Sequence, residues 1–253
     1  MRSLPLQAGI FSSLVGFDSL YAKDNLNYTR PWSADFTPYL MMGINASYPF
    51  TEHLTATFLV INGYWHLANA NHVPTEGVQV AYKPSGRSAL KQTVLWGPHQ
   101  SDTSLKFWRF LSDTVIERRS NRMVAAFEYQ LSTEVVNAPG SRRAWWMAAQ
   151  LPMRWIVRNP WAVAVRPEIA WDSDGRWTLS SQTVAAMTTT VEYGIPWRAA
   201  HAFIRFEHRF DTSHGRDAGF FNGAIVDPQH ADLEPTQHLL GLALIFTFDR
   251  PGL

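Results

Sequence analysis

The feature that most constrains this chain is a two-residue alternation of apolar and polar side chains, repeated along its length. The segment 161–171 shows it clearly. Its odd positions are mostly apolar, namely Trp161, Val163, Val165, Ile169 and Trp171. Its even positions, continued to residue 172, include Ala162, Ala164, Arg166, Glu168 and Asp172. Because a β-strand points successive side chains to opposite faces and a helix would mix the two sets, the pattern predicts strands with one apolar and one polar face.

Applied to the whole chain, the alternation predicts twelve strands. They cover residues 4–14, 38–48, 54–62, 76–83, 89–97, 105–117, 123–133, 144–157, 161–171, 182–193, 199–211 and 237–248. Most of these lengths suit a tilted strand that crosses a bilayer in about 9–11 residues.

The predicted connections alternate between short and long. The short ones are 49–52, 84–88, 118–122, 158–160 and 194–198, and the long ones are 15–37, 63–75, 98–104, 134–143, 172–181 and 212–236. Outer-membrane barrels have short periplasmic turns and longer outside loops, whereas a soluble meander has no reason to sort its turns in this way. An even strand number also places both termini in the periplasm.

Composition agrees with a barrel. Hydrophobic residues make up 46% of the chain and charged residues 17%, with 11 Trp, 15 Phe and 8 Tyr. Mean hydropathy is −0.17, and no window approaches the roughly 18 apolar residues of a transmembrane helix. Tryptophans cluster at both predicted strand ends, as in aromatic girdles at membrane interfaces, although they could instead fill the core of a sandwich. We therefore predict an all-β fold, a single antiparallel transmembrane β-barrel domain of about twelve strands spanning residues 1–253, either complete or part of a larger barrel.

Several function classes are disfavoured by composition. The chain has no cysteine, which excludes a disulfide scaffold and thiolate chemistry. A net charge of +1 gives no electrostatic case for nucleic acid. We expect no cofactor. Residues 1–5 (MRSLP) do not begin a signal peptide with a long apolar region and a cleavage site, so we expect that the chain is mature or truncated, or that its true start lies upstream.

Two groups of motifs resemble the OmpL-like family of β-barrel porins. The first comprises 9–18 (GIFSSLVGFD), 25–30 (NLNYTR), 38–39, Gly43, 60–65 (VINGYW), 69–71, Gly77 and Tyr82. The second comprises 166–175 (RPEIAWDSDG) and 205–213 (RFEHRFDTS), with a weaker match at 109–113 (RFLSD). The resemblance covers nearly the whole chain. It implies a bacterial outer-membrane barrel of channel function, in contact with outer-membrane lipids. Members usually carry a signal peptide and further strands before 9–11, which implies a truncated chain and a wider barrel.

The candidate functional residues are charged side chains on the polar face. As pore-lining residues we predict Arg109, Asp113, Glu128, Arg154, Arg166, Glu168, Glu192, Arg205, Glu207 and Arg209, and Glu117 falls on the same face. Opposite charges across a lumen create a transverse field that selects solutes by charge and size. The alternative is a structural network of salt bridges that fills the lumen. Long arginines could close much of a twelve-strand lumen.

The two longest loops, 15–37 and 212–236, are long enough to fold inward or to plug the lumen. The second contains metal-ligand residue types, at His214, Asp217, Asp227, His230, Asp232 and Glu234, together with Arg216. Their spacing matches no known metal motif, and a solvated loop is the expected state.

An enzymatic function has little support in the sequence. Asp211, Ser213 and His214 could in principle form a triad, but neighbours along a strand point to alternate faces. No G-x-S-x-G elbow is present. Glu168 and Glu207 each have an arginine two residues away, so ion pairing is their simpler role. We predict a channel, not an enzyme, for passive diffusion of small hydrophilic solutes or ions. The alternatives are a non-conducting barrel that serves as an anchor or adhesin, an outer-membrane lipid hydrolase, and a soluble β-sandwich or ligand-binding barrel.

Overall fold

The computed structural model describes residues 4–68, 71–197, 201–216, 218–227 and 230–247, with only the main chain for 222–227 and 230–231. These residues form fifteen strands, a one-turn helix and two 3₁₀ turns. The strands are β1 (Leu6–Ser12), β2 (Leu40–Pro49), β3 (Leu54–Ile61), β4 (Thr75–Ser85), β5 (Ser88–Pro98), β6 (Trp108–Arg119), β7 (Met123–Val135), β8 (Arg143–Gln150), β9 (Met153–Arg158), β10 (Trp161–Asp172), β11 (Gln182–Ile195), β12 (His201–Gly215), β13 (Phe220–Asp227), β14 (His230–Glu234) and β15 (Thr236–Thr247). The helix α1 is Trp32–Asp35, and the 3₁₀ turns are Ala22–Asp24 and Leu105–Phe107.

Thirteen of the strands form one antiparallel sheet in chain order, β1-β2-β3-β4-β5-β6-β7-β8-β10-β11-β12-β15, in which β9 pairs with β7 and β10. The all-β antiparallel fold predicted from the alternation is therefore confirmed. In the described ranges, β1 pairs with β2 and β15 pairs with β12, and no further pairing is seen for either. The described helices include none with the length and apolar character needed to span a bilayer.

The segment predicted as one strand at 144–157 is two strands that share one place in the sheet. The interruption falls at Leu151 and Pro152, because proline has no N–H to donate to the ladder. The Pro152 carbonyl still accepts a hydrogen bond from the Ala126 N–H at 2.9 Å, and the Leu151 N–H donates to the Pro167 carbonyl at 3.0 Å. The twelve predicted strands thus correspond to twelve positions across the sheet.

The segment 212–236, predicted as a loop, is largely strand, so that prediction is wrong. β12 continues to Gly215, and β13 and β14 pair antiparallel as a separate hairpin. The sequence of β13, FFNGAIVD, is rich in residues with high β-propensity. The charged residues on either side of this short apolar run favoured the prediction of a loop.

The two faces of the sheet are sorted in the opposite way to a soluble protein. Along β10 the even-numbered side chains are buried, including Arg166, Glu168 and Asp172. Trp161, Ile169 and Trp171 on the other face are exposed. The same holds at β15, where Leu242 is 77% exposed. An apolar outer face around a polar interior is the arrangement of a barrel in lipid.

The interior also contains an apolar cluster near β1 to β6. It consists of Phe11, Val15, Met41, Leu59, Ile61, Tyr64, Leu95 and Leu111. Val15 belongs to the connection between β1 and β2, so this connection packs inside the sheet rather than outside it.

Residues 13–39, which connect β1 to β2, cross the inner face of the sheet; we call them the inner segment. Near its start, the Leu14 carbonyl accepts hydrogen bonds from Gln79 on β4 and Thr93 on β5. Near its middle, the Arg30 carbonyl accepts one from Arg209 on β12. Tyr64, directly after β3, and Trp177, after β10, both contact Arg109 of β6, although β3 and β10 are six strand spacings, or about 29 Å, apart along the sheet. The sheet therefore curls, with the inner segment on its inner face. The loop 15–37, whose length allowed it either to fold inward or to plug the lumen, thus lies against the inner face of the sheet.

Candidate functional site

The first turn of the inner segment is bound by two buried carboxylates. The Gly16 N–H donates to Asp113 Oδ2 on β6 at 2.9 Å, and the Phe17 N–H donates to Glu128 Oε2 on β7 at 2.9 Å. Gly16 has φ of +87°, a left-handed conformation that favours glycine. These carboxylates therefore provide acceptors for backbone donors that would otherwise be buried unpaired.

Further along, Glu207 and Glu168 bind the inner segment in the same way. Glu207 on β12 accepts from the Tyr28 and Thr29 N–H groups, at 2.6 and 2.7 Å. Glu168 on β10 accepts from the Trp32 N–H at 2.7 Å. A hydrogen bond to a charged group contributes about 1.5–3 kcal/mol, so each of these carboxylates holds its stretch of backbone firmly.

Three arginines bind carbonyls of the inner segment. Arg205 donates to the Ala22 and Asn25 carbonyls, at 2.8 and 2.7 Å. Arg166 donates to the Thr29 carbonyl at 2.6 Å. Arg209, described above, adds the Arg30 carbonyl. The same polar face thus presents acceptors to N–H groups and donors to carbonyl groups.

Arg109 lies at the long-loop end of the interior in an aromatic cage. Its Cζ is 4.8 Å from the ring centre of Tyr64, 5.1 Å from that of Trp146 and 4.9 Å from that of Trp177. Arg109 is 1% exposed, and its Nη2 donates to Glu134 at 2.9 Å. Cation–π contacts and one charged hydrogen bond therefore stabilise this buried guanidinium.

The loops above this cage add a second cation and a histidine. Arg176 donates to the same Glu134 oxygen at 2.6 Å. His99 is largely buried, and burial together with the charges of Arg109, His66 and Arg176 lowers its pKa from 6.5 to about 2. His99 therefore stays neutral, and the cage is positively charged around a single shared carboxylate.

At the short-turn end, Arg154 and Arg205 both pair with Glu192, the latter at 2.9 Å. This group borders a cavity of about 500 Å³, which Trp197 and Phe203 also line. A second cavity of about 210 Å³ lies beside the start of the inner segment, lined by Gly16, Asp18, Lys91 and Glu128 among others. Open space therefore remains beside the start of the inner segment and at the short-turn end.

All ten predicted pore-lining residues lie on the inner face, but they are not equivalent. Seven of them hydrogen-bond the inner segment, namely Asp113, Glu128, Arg166, Glu168, Arg205, Glu207 and Arg209. Arg109 lies in the aromatic cage, and Arg154 and Glu192 pair with each other. Glu117 pairs with Arg119 near the short-turn end.

Two acidic residues of the site were assigned to loops from the sequence. Glu134 continues the buried even-numbered positions of β7, and Asp172 continues those of β10. Asp172 accepts hydrogen bonds from the N–H groups of Arg176, Trp177 and Thr178 and so shapes the loop above the cage. The alternation along 161–172 already places Asp172 on the polar face, and extending the predicted strand 123–133 by one residue would have placed Glu134 there as well.

The possible triad is not assembled. Ser213 is buried and donates to Gln182, whereas His214 is exposed and contacts Thr212. Asp211 pairs with Arg209. In the described part of the chain, no group of three or more His, Cys, Asp or Glu residues is placed to hold a metal ion. Asp217 and the side chains of Asp227 and His230 lie outside the described residues.

The model of a family described as "Putative beta-barrel porin-2, OmpL-like" matches residues 2–248. A search of curated proteins finds no match.

Proposed function

Since the chain belongs to this OmpL-like family of β-barrel porins, we propose that it forms a bacterial outer-membrane channel for passive diffusion of small hydrophilic solutes or ions. The observation that carries the proposal is a buried face of paired charges inside a sheet whose outer face is apolar. The outer face suits lipid, and the inner face suits water and ions. The mechanism needs no cofactor and no chemical step.

The inner segment sets the width of the proposed passage. Because side chains from β4 to β12 bind its backbone, it occupies the middle of the interior. Solutes would pass through the space left beside it, which includes the two cavities of about 210 and 500 Å³. Small solutes and ions fit such a passage better than bulky ones.

A second candidate, a non-conducting barrel that serves as an anchor or adhesin, is favoured by the same contacts. Seven inward charges are engaged by the inner segment, as a structural plug would require. Single-channel recording of the refolded protein in a planar bilayer separates the two candidates. Stepwise openings support a channel, whereas stable insertion without conductance contradicts it.

If the apolar outer face contacts lipid, the cost of placing a charged side chain on it should depend strongly on the depth of that position in the bilayer. Met187 lies near the middle of β11 and faces outward. Met187→Arg is expected to destabilise the inserted barrel by about 2–4 kcal/mol, because it places a charge near the bilayer midplane. Thr183→Arg, on the same face at the long-loop end of β11, is expected to cost about 0–1 kcal/mol. Urea titration in lipid vesicles measures both, and equal costs would contradict lipid contact along this face.

We expect the binding of the inner segment to the inner face of the sheet to depend on pH through Asp18. Burial raises the pKa of Asp18, and the charges of Arg166 and Arg30 and the Gln150 hydrogen bond only partly oppose this. The protonated form of Asp18 is therefore favoured when the inner segment is bound to the inner face of the sheet. Protonated Asp18 therefore stabilises the bound position of the inner segment. This contribution is complete below the ordinary pKa of 3.8 and is lost as the pH rises through the raised pKa of the buried group.

We therefore expect conductance to fall as the pH is lowered. Asp18→Asn should remove most of this dependence and hold the conductance near its low-pH level. Asp24→Asn is the matched control, because Asp24 lies on the same segment but is exposed and paired with Lys23. Recording over a pH series tests this, and an unchanged pH dependence in Asp18→Asn would refute it.

A further inference from the structure

The charges inside the protein are unevenly paired. On the side formed by β10 to β12, three carboxylates have arginine partners. These pairs are Glu168 with Arg166 at 3.2 Å, Asp211 with Arg209 at 2.8 Å, and Glu192 with Arg205 at 2.9 Å. Glu207 on β12 instead accepts hydrogen bonds from the Tyr28 and Thr29 N–H groups and from the Thr190 hydroxyl.

The opposite side, formed by β5 to β8, carries Asp113 and Glu128 and faces Asp18 of the inner segment. Gln150 joins two of these carboxylates, since its Nε2 donates to Asp18 and to Glu128, each at 2.7 Å. Lys91 on β5 is the cation closest to this group in the cavity lining, and its Nζ donates to the Gly16 carbonyl at 3.4 Å, whereas Arg109 on β6 pairs with Glu134. Three carboxylates thus share one wall lysine.

Arg166 and Arg30 both act on the charge of Asp18. Both are engaged elsewhere, because Arg166 donates to Glu168 and to the Thr29 carbonyl, and Arg30 donates to the Leu20 carbonyl. Among the ion pairs of the described residues, none includes Asp18, Asp113 or Glu128, so these acidic groups lack the arginine partners that Glu168, Asp211 and Glu192 have.

Three buried oxygen atoms beside these carboxylates accept no hydrogen bond from any described residue. They are Asp113 Oδ1, Gln130 Oε1 and Gln150 Oε1, on side chains only 1–2% exposed. An unpaired buried acceptor costs about 1–3 kcal/mol. Carboxylate and amide oxygens are also the ligands that hard cations prefer. These oxygens are thus an independent sign that a positively charged species belongs here.

The cavity of about 210 Å³ gives a cation access to this wall. Asp18, Lys91 and Glu128 line it, together with backbone of the inner segment. No described group of three acidic or histidine side chains is arranged to hold a metal tightly. Weak binding of ions in transit fits this geometry better than a resident metal.

We infer that small monovalent cations pass along the wall of β5 to β8, binding transiently at the oxygens of Asp113 and Glu128, and that the channel prefers cations to anions. The inference rests on the proposed channel function. Gln130 and Gln150 can assist, because turning the amide exchanges its nitrogen for its oxygen at nearly the same position. The paired charges of β10 to β12 mainly hold the inner segment.

The test is the reversal potential of single channels in a potassium chloride gradient. We expect Glu128→Gln and Asp113→Asn each to lower the cation-to-anion permeability ratio by about sixteenfold, because one charge about 5 Å from the path at the dielectric constant of water changes the cation and the anion permeability about fourfold each, in opposite directions. Glu168→Gln removes the same charge from the opposite wall, and its shift should be clearly smaller.

Lys91→Met should change the permeability ratio in the opposite direction. It therefore tests the inference even if the carboxylate variants do not fold. Loss of this cation should raise the permeability ratio by about the same sixteenfold factor. An unmodified channel without cation preference would overturn the inference, as would equal shifts in Glu128→Gln and Glu168→Gln. A protein that inserts but never conducts would instead overturn the proposed channel function, so the two failures are distinguishable.

Discussion

Arg205→Ala is expected to release the inner segment and to increase single-channel conductance. The substitution removes the donors to the Ala22 and Asn25 carbonyls. Each hydrogen bond to a charged group contributes about 1.5 kcal/mol or more. Loss of the two should therefore raise the ratio of molecules with the inner segment detached to those with it bound on the order of a hundredfold. Recordings should show larger mean currents and frequent steps between current levels. Adding Glu207→Ala, which frees the Tyr28 and Thr29 N–H groups, should increase both effects.

Arg154→Ala is the matched control for this experiment. It removes an inward arginine of the same charge that pairs with Glu192 on β11 and not with the inner segment. Its effect on current steps should be small. Similar currents in Arg205→Ala and Arg154→Ala would show that the inner segment does not limit the passage. A decrease in current in Arg205→Ala would show that the arginine itself attracts the permeant species.

Arg109→Met is expected to be the most destabilising of the single substitutions considered. It keeps much of the side-chain volume but removes one partner of the fully buried pair with Glu134. Breaking a buried ion pair from one side costs about 3–5 kcal/mol. Arg176 remains as a partner for Glu134, which favours the lower part of this range. Guanidinium unfolding in detergent, followed by tryptophan fluorescence, measures the loss.

A double substitution separates the ion pair from the aromatic packing. Arg109→Met combined with Glu134→Gln should be less destabilising than the sum of the single changes, because the uncompensated buried charge is removed. Arg118→Met is the control, since Arg118 is exposed and bonds only Ser88 among the contacts described; its cost should stay below about 1 kcal/mol. Equal losses in Arg118→Met and Arg109→Met would contradict a stabilising role for the cage.

The strands and their two faces could be predicted from the sequence because both are local properties. Alternation along 161–171 places Arg166 and Glu168 on one face whatever the rest of the chain does. Departures occurred where a single residue or a short run competes with the pattern. Pro152 divides one predicted strand, and the apolar run of β13 turns a predicted loop into a hairpin.

The sequence by itself determined which side chains face inward, the alternation of short and long connections, and the family resemblance. It left open what the inward charges would bind. Glu207 and Tyr28 are 179 positions apart, and Asp113 and Gly16 are 97 apart. Periodicity carries no information on such distant pairs. Only the curled sheet, with the inner segment inside it, decided that these charges bind backbone groups, because burial leaves those groups no water to bond.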